Sequence, residues 1–183
     1  MTEREKMLAG ELYLASDPEL VAGRVRARQL WQRFNTSPPG DPEQRGSILR
    51  ELLGRLGEGA WIEPPFYCDY GTHIELGARV FINMNCVLLD PAMIRISDEV
   101  QLGPGVQLLT ADHPRDALQR AAGPEFARPI TIGARAWLGG GVIVCPGITI
   151  GEDTIIGAGS VVTRNLPPRA VAAGNPCRII RTA

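Results

Sequence analysis

Aromatic residues are scarce in this chain. Phenylalanine, tryptophan and tyrosine make up 5% of its 183 residues, whereas glycine occurs 21 times. This balance points away from an ordinary helical bundle, because glycine is a poor helix former. Neither sign of charge dominates, since the formal net charge is −1. The net charge of the chain therefore gives no electrostatic reason to bind nucleic acid or a membrane surface. Any anionic ligand must be bound by a local group of positively charged residues.

Long apolar segments are also absent from the sequence. No run approaches the roughly 20 apolar residues that a membrane-spanning helix requires. The first residues, MTEREKMLAGELYL, are polar rather than those of a secretory signal. We therefore expect a cytoplasmic protein.

Only four cysteines and two histidines are present. The cysteines are far apart with no C-x-x-C spacing, which suggests neither a zinc knuckle nor a disulfide framework. We interpret them as reduced packing residues, and we expect no metal site. The four are Cys68, Cys86, Cys145 and Cys177.

Aliphatic residues recur every six positions. Counting in sixes from Leu76 to Val106, and again from Ile132 to Val162, meets an aliphatic residue at all twelve positions. A second apolar position precedes eight of these residues by two. The twelve are Leu76, Ile82, Leu88, Ile94, Val100, Val106, Ile132, Leu138, Val144, Ile150, Ile156 and Val162. The eight are Ile74, Val80, Cys86, Ala92, Ile130, Ala136, Val142 and Ile148.

A period of six fits neither an amphipathic helix nor a hairpin sheet, which bury side chains at periods of 3.6 and 2. It predicts an all-β solenoid over residues 58–183. Each hexapeptide would be a short strand followed by a turn, with aliphatic residues stacked on their counterparts one coil away. The period alone allows either hand of the solenoid.

Residues 1–57 lack this repeat and are predicted to form a helical extension. Ser16, with Glu19 three residues later, resembles a capping box ahead of one helix, and Asp41 followed by Pro42 indicates the start of a second. These helices either cap the first coil or also shape a binding site. The first is expected to bury Leu20, Val21, Val25, Leu30, Trp31 and Phe34, and the second Ile48, Leu49, Leu52, Leu53 and Leu56.

The count in sixes breaks between Val106 and Ile132. We interpret residues at about 108–129 as a loop extruded from a corner, because coils on either side can still stack, and long ordered loops often carry function. His113 lies there. A histidine is the side chain best suited to take a proton from an alcohol at neutral pH, although a lone histidine is more often a satisfied polar residue. We interpret His73 as structural or peripheral.

Six segments make the chain resemble the maltose and galactoside O-acetyltransferases. The resemblance implies a left-handed parallel β-helix of four or five coils with a small N-terminal helical extension. It also implies transfer of acetyl from acetyl-CoA to a sugar hydroxyl, in a homotrimer with active sites between adjacent protomers. The segments are MLAGELY (7–13), EPPFYCDYG (63–71), FINMNCVLLD (81–90), TADHP (110–114), ITIGARAWLGGGVIVCPGITIGEDTIIGAGSVVT (130–163) and VAAGNPCRIIR (171–181).

The resemblance also assigns roles to individual residues. His113 matches the family's general base, and Glu125 matches a glutamate that orients it. Asn83 matches an asparagine that contacts the acceptor or the transition state, and the Gly140 N–H matches an oxyanion donor. Asp69 matches a sugar contact of the maltose-type enzymes. The alternatives are a solvated loop charge for Glu125 and turn-forming roles for Asn83 and Asp69.

Coenzyme A would explain the basic C-terminal end. From Thr154 to Ala183 the sequence contains four arginines and no acidic residue. Arginine suits phosphate because of its planar fork of donors, although solubility alone is an alternative. By their place in the family pattern, Arg178 and Arg181 contact nucleotide phosphates. Thr163 and Arg164 contact the pantetheine and adenosine side, and Ala158 offers a backbone contact.

Two positions depart from the family pattern. Galactoside enzymes carry acidic residues where this chain has Ala15 and Pro91, so we expect a maltose- or glucose-type acceptor. A xenobiotic acceptor such as an antibiotic stays open. A noncatalytic hexapeptide scaffold is a further alternative, although a scaffold protein would need neither the histidine loop nor the basic tail. A carbonic anhydrase on the same kind of solenoid needs three histidines for each zinc, more than this chain has.

Overall fold

The computed structural model describes residues 1–182; the predicted solenoid segment extends one residue further, to position 183, which lies outside this range. The N-terminal extension contains α1 (Glu3–Ala9), the strand β1 (Tyr13–Leu14), α2 (Pro18–Asn35) and α3 (Pro42–Leu52). In the described range, no helix is both long enough and apolar enough to cross a bilayer.

The two longer helices begin at capped turns. Asp41 caps α3, as the sequence predicted. Asp17 caps α2 by accepting from the Glu19 N–H, so the predicted cap at Ser16 is wrong by one residue. The reason is Pro18, which lacks an N–H and suits the first helical position, so the cap is the residue directly before it.

The helices α2 and α3 cover the first coil of the solenoid. Their buried apolar residues belong to the same hydrophobic core as the solenoid interior, except Leu20, which lies in a smaller cluster with Met7, Tyr13 and Tyr70. Two residues expected to be buried, Val21 and Val25, lie instead on the outer side of α2 and are 40% and 45% exposed. The core-facing residues are Ala27, Leu30 and Phe34 of α2 and Ile48, Leu49 and Leu52 of α3.

Short parallel strands form the three faces of the solenoid, which confirms the predicted all-β solenoid with a helical extension. It has about six turns, more than the four or five expected. Sheet 1 consists of β2 (Arg55–Leu56), β5 (Ile74–Leu76), β8 (Ile94–Ile96), β13 (Ile130–Ile132) and β16 (Thr149–Ile150). Sheet 2 consists of β3 (Trp61–Ile62), β6 (Phe81–Ile82), β9 (Gln101–Leu102), β14 (Trp137–Leu138), β17 (Ile155–Ile156), β19 (Ala170–Ala173) and the antiparallel β20 (Arg178–Thr182). Sheet 3 consists of β4 (Phe66–Cys68), β7 (Cys86–Leu89), β10 (Gln107–Leu109), β15 (Ile143–Val144) and β18 (Val161–Val162).

The inward positions predicted from the repeat are all buried. The twelve residues at six-residue spacing are at most 1% exposed, and the eight that precede them are at most 8% exposed. They stack on counterparts in the next coil, as Ile132 does on Ile150 and Leu138 on Ile156. Burial of each large aliphatic side chain stabilises the fold by roughly 1.5–3 kcal/mol.

The coils are not all of one length. In the C-terminal half, Ile132 pairs with Ile150, which is its counterpart three hexapeptides later. In the N-terminal half, Ile74 pairs with Ile94, which lies two positions beyond three hexapeptides. Counting in sixes along this half therefore meets one inward position of the hexapeptide at first and the other inward position later. The counted residues are aliphatic throughout, because the side chains at both positions point into the solenoid. The two extra positions lie at the corner between sheets 3 and 1.

The extruded loop leaves the solenoid at this same corner. After β10, the strands β11 (Ala111–Asp112) and β12 (Pro124–Ala127) pair antiparallel, with the short helix α4 (Ala117–Ala121) between them. The strand β12 also pairs with β1. The N-terminal extension thus supplies the third strand of a small sheet and fixes the loop in place.

The outer faces of sheets 1 and 3 differ in polarity. Glu75 and Arg95 form an ion pair on sheet 1, with 3.4 Å between Oε2 and Nε. The outward residues of sheet 3 are mostly apolar. Those of sheet 1 are Arg55, Glu75, Arg95, Thr131 and Thr149, and those of sheet 3 include Val87, Gln107, Ile143 and Val161.

Candidate active site

A cleft of about 350 Å³ lies where the extruded loop, helix α2 and the corner between sheets 3 and 1 meet. His113 and Glu125 line it from the loop, Asp69 from the corner after β4, and Arg24 and Arg28 from α2. Three residues that the sequence indicated as catalytic or acceptor-binding thus lie together. The longer corners and the loop insertion both build this cleft, and the insertion is the place where the six-residue count breaks.

His113 and Glu125 face each other in the cleft. The distance from His113 Nε2 to Glu125 Oε2 is 3.9 Å, too long for a hydrogen bond but within ion-pair range when the imidazole is protonated. The His113 side chain is 53% exposed and the Glu125 side chain 19% exposed. Catalytic hydrogen bonds often tighten only when substrate binds. The carboxylate can therefore orient the imidazole and stabilise its charged form.

Glu125 is held by the N-terminal extension. It lies opposite Tyr13 in the β1–β12 pair, and the Tyr13 hydroxyl donates to Glu125 Oε1 at 2.8 Å. Tyr13 is only 1% exposed. Glu125 is thus a fixed member of the cleft and not a freely solvated loop charge.

A second loop carboxylate, Asp112, anchors the backbone at His113. It accepts from the His113 N–H at 2.8 Å, from Arg128 at 2.6 Å and from Arg115 at 3.1 Å. Burial opposes ionisation of this carboxyl, but these donors outweigh burial and hold the pKa of Asp112 below its usual range. Asp112 therefore remains charged and keeps the start of the loop in one conformation.

Asp69 has an unusual ionisation behaviour for an aspartate. Burial and the nearby charge of Asp90 raise the pKa of Asp69 to about 6, against the opposing effect of Arg24 and Arg28. A carboxyl group that is partly protonated near neutral pH can donate as well as accept hydrogen bonds. Such a group suits a hydroxyl ligand, which also donates and accepts hydrogen bonds.

Asp90 builds the corner that presents Asp69 to the cleft. It is fully buried and accepts from the N–H groups of Asp69, Tyr70 and His73 at 3.0, 2.8 and 3.2 Å. Its own backbone carbonyl lies 2.7 Å from His73 Nδ1. His73 is 7% exposed, which confirms its interpretation as a structural residue.

Arg24 connects the extension to this corner. Its Nη1 donates to the Tyr70 hydroxyl at 2.7 Å, and its Nη2 donates to the Ala15 carbonyl at 2.6 Å. Arg28, one turn later on α2, also lines the cleft. The helical extension therefore shapes the cleft as well as capping the first coil.

Asn83, Gly140 and Ala158 lie elsewhere, at the corner between sheets 2 and 3. They precede the strands β7, β15 and β18, whereas Asp69 and His113 follow the strands β4 and β10. All these strands are parallel members of sheet 3, so the two groups lie at its opposite ends. A single chain does not bring them together.

The corner between sheets 2 and 3 offers free backbone donors. The N–H groups of Gly140 and Ala158 make no hydrogen bond to any of residues 1–182. Both residues are at least partly exposed. Asn83 is partly buried, and its Oδ1 accepts from the Met84 N–H at 2.8 Å, a turn-stabilising contact.

The four side chains predicted to bind coenzyme A are divided between two places, both separate from the corner that carries the Ala158 N–H. Thr163 and Arg164 directly follow β18, at the same end of sheet 3 as His113, while Arg178 and Arg181 lie on β20 at the edge of sheet 2. All four are exposed, and the three arginines form no ion pair within the described residues. They are available to an anionic ligand.

Several residues that build the site were not predicted from the sequence, among them Asp90, Tyr70, Tyr13 and Arg24. Asp90 and Tyr70 belong to the long corners, and comparing corner lengths coil by coil, rather than counting in sixes, could have indicated them. Tyr13 and Arg24 belong to the extension. Tyr13 contacts a residue 112 positions away, and such a contact leaves no local pattern.

The comparisons with known proteins agree with this fold. The family model of the maltose acetyltransferase hexapeptide capping motif matches residues 6–57, and that of the bacterial transferase hexapeptide (six repeats) matches residues 129–164. Nodulation protein L of Rhizobium meliloti (strain 1021) is 50% identical over 178 residues, which cover 97% of each chain.

Two solved structures are similar to this chain in fold as well as in sequence. A maltose O-acetyltransferase from Clostridium difficile 630 is 48% identical, with a TM-score of 0.98 over 100% of this chain and 97% of that one. A galactoside acetyltransferase in complex with coenzyme A is 40% identical, with a TM-score of 0.96 over 100% of this chain and 91% of that one. The chain therefore belongs to the maltose and galactoside O-acetyltransferase family of hexapeptide-repeat proteins.

Proposed function

We propose that this protein transfers the acetyl group of acetyl-CoA to a hydroxyl of a maltose- or glucose-type sugar. The observation that carries the proposal is the cleft, which combines an exposed imidazole, a carboxylate facing it and a second carboxylate from a neighbouring corner. Charged hydrogen-bonding groups suit an acceptor rich in hydroxyls. The related galactoside acetyltransferase, solved with coenzyme A, supports the choice of donor.

His113 acts as the general base in the proposed reaction. It takes the proton of the acceptor hydroxyl as the oxygen attacks the thioester carbonyl carbon, which gives a tetrahedral intermediate without an acyl-enzyme. Glu125 stabilises the imidazolium that forms. Collapse of the intermediate breaks the carbon–sulfur bond, and the imidazolium returns its proton to the sulfur. The products are the acetyl ester and the free thiol of coenzyme A.

Groups at the corner between sheets 2 and 3 stabilise the intermediate. The Gly140 N–H, free among the described residues, donates to the developing oxyanion. The Asn83 amide holds the acceptor hydroxyl or the same charge. Loss of one such donor typically lowers kcat by roughly 10²–10³.

The complete site forms between protomers of a homotrimer. His113 and Gly140 lie at opposite ends of sheet 3 in one chain, so they cannot act on the same carbonyl there. The outer face between them carries Val87, Ile143 and Val161. Packing three such faces around an axis would shield this apolar surface and set the His113 end of one sheet against the Gly140 end of the next.

Coenzyme A occupies the groove between adjacent protomers in this proposal. Arg178 and Arg181 bind its phosphates, because guanidinium groups present several donors to phosphate oxygens. Thr163 and Arg164 contact the pantetheine and adenosine side. The Ala158 N–H, which has no hydrogen-bond partner in the part of the chain that the structure describes, provides a further backbone donor.

The acceptor type follows from the two positions that depart from the galactoside enzymes. Ala15 and Pro91 both line the cleft, so two acidic sugar contacts of those enzymes have no equivalent here. Asp69 and Glu125 are the carboxylates that line this cleft. We assign Asp69 to a sugar hydroxyl, and this arrangement favours a glucose-type ring over a galactoside.

The test is to follow thiol release from acetyl-CoA with a panel of monosaccharides, disaccharides and chloramphenicol-like alcohols. We expect release with maltose or glucose. The His113→Ala variant should stay folded and lose roughly 10²–10⁴ in kcat/KM, the usual contribution of a positioned general base. Release with the chloramphenicol-like alcohols alone would assign a xenobiotic acceptor instead. Turnover of the variant at the wild-type rate would refute the role of His113.

A further inference from the structure

Tyr13 occupies an unusual place for a residue of a short N-terminal strand. It is 1% exposed and lies directly opposite Glu125 in the β1–β12 pair. Its hydroxyl donates to Glu125 Oε1 at 2.8 Å, while Glu125 Oε2 faces His113 Nε2 at 3.9 Å. One carboxylate therefore bridges a buried phenol and the exposed imidazole.

The phenol is suited to be a permanent donor. Burial, together with the hydrogen bond and charge of Glu125, raises the pKa of Tyr13 well above the ordinary tyrosine value. Tyr13 therefore keeps its proton at any pH at which the protein works. Its hydroxyl has one hydrogen to give, and the short contact with Glu125 uses it.

The hydrogen bond restricts the Glu125 side chain. A glutamate has three side-chain torsions, and an unrestrained carboxylate on a loop strand would sample several orientations. Fixing Oε1 on a buried donor leaves Oε2 on the His113 side. A carboxylate fixed in this way selects the imidazole tautomer whose proton faces it, and the other ring nitrogen is then free to act as the base.

We propose that Tyr13 is a positioning residue for the His113–Glu125 pair, through which the N-terminal extension controls the general base. The inference rests on the proposed role of His113 as that base. It differs from a simple structural role of β1, because it assigns the effect to the phenol oxygen and not to the packing of the ring. Loss of the hydroxyl should then lower kcat and leave acetyl-CoA binding unchanged.

A double-mutant cycle with Tyr13→Phe and Glu125→Ala tests the proposal. In the wild-type background, Tyr13→Phe should lower kcat by about three- to tenfold, the effect of one lost hydrogen bond of ordinary strength, with an unchanged KM for acetyl-CoA. In the Glu125→Ala background, the same substitution should change kcat by less than about twofold, because no carboxylate remains to be positioned. Tyr67→Phe is the matched control, since Tyr67 is 38% exposed and packs on Trp31, away from the cleft.

The outcomes separate this proposal from the one on which it rests. An equal loss of kcat in both backgrounds would show a merely structural role and overturn the proposal, as would a Tyr13→Phe enzyme with wild-type kcat. His113→Ala, assayed alongside, reports on the general base: if it abolishes transfer while Tyr13→Phe is neutral, only the positioning role fails. If His113→Ala retains full activity, the proposed function fails first. Thermal unfolding of each variant verifies that all are folded.

Discussion

At the scale of one residue, Asp69 is a candidate binding residue whose ionised form lowers the stability of the folded protein. Its carboxyl is partly buried, next to the fully buried Asp90, and its pKa is raised to about 6. In the unfolded chain the same group has an ordinary value of about 4. The folded protein thus holds this proton more tightly than the unfolded chain does. The ionised form of Asp69 is therefore less favourable in the folded protein than in the unfolded chain.

The sign of the pH effect follows from this difference. A raised carboxyl pKa contributes stability that is fully present below about pH 4 and is lost as the pH rises through about 6. Above that pH, ionised Asp69 lowers the free energy of unfolding. The Asp69→Asn variant should therefore melt at a higher temperature than the wild type at pH 8, and should show no such gain at pH 4.5.

The same variant should bind the acceptor less well. Loss of a charge-assisted hydrogen bond predicts a rise of roughly tenfold or more in the acceptor KM, measured by thiol release. Glu11→Gln is the control, because it removes an exposed carboxylate outside the cleft. A variant with unchanged acceptor KM and unchanged melting at pH 8 would contradict the role of Asp69.

At the scale of the coil, the fold depends on close approach of successive corners. A Cβ atom at Gly133 would lie 2.4 Å from the Glu152 backbone nitrogen of the next coil. Neighbouring strands are about 4.8 Å apart, which leaves no room for a methyl group there. Gly105 is different: its φ is +69°, but a Cβ atom would meet nothing within 4 Å.

These two glycines give a matched pair of variants. Gly133→Ala should lower the free energy of unfolding by about 3 kcal/mol, because the added methyl forces two backbones apart. Gly105→Ala should lower it by only about 1–2 kcal/mol, the strain of a left-handed conformation. Denaturant unfolding at one protein concentration measures both. Equal losses would show that turn conformation, and not the contact between coils, limits stability.

At the scale of the whole molecule, the apolar outer face of sheet 3 predicts assembly. Ile143→Glu places a charge on this face and should give a monomer that no longer transfers acetyl groups. Thr131→Glu places the same charge at an equivalent outward position of sheet 1 and should leave the assembly intact. Sedimentation velocity distinguishes the species. A trimeric Ile143→Glu enzyme would show that another face forms the interface.

A site shared between protomers makes a second prediction at this scale. His113→Ala and Asn83→Ala should each be nearly inactive alone. When the two variants are coexpressed, about one quarter of the interfaces in randomly assorted rings will combine an intact His113 with an intact Asn83. Activity should therefore return to about that fraction of the wild type. Purified mixed oligomers with no recovered activity would place both residues in a site within one chain.

The sequence by itself determined the repeating architecture and indicated the candidate site residues. The inward residues of each hexapeptide can be recognised from their spacing, and all twenty predicted positions are buried. The break in the count located the loop with His113 and Glu125, and the family resemblance added Asp69. These features were readable because they depend on spacing along the chain, which a sequence displays directly.

Only the tertiary structure decided how the cleft is assembled. It showed that coils of two lengths coexist. The count in sixes did not reveal this difference, because each hexapeptide has two inward positions and the count passes from one to the other. The tertiary structure also joined Tyr13 to Glu125 and Arg24 to Tyr70. These contacts link segments far apart in the chain, so they follow from how the extension packs on the solenoid and not from any local pattern.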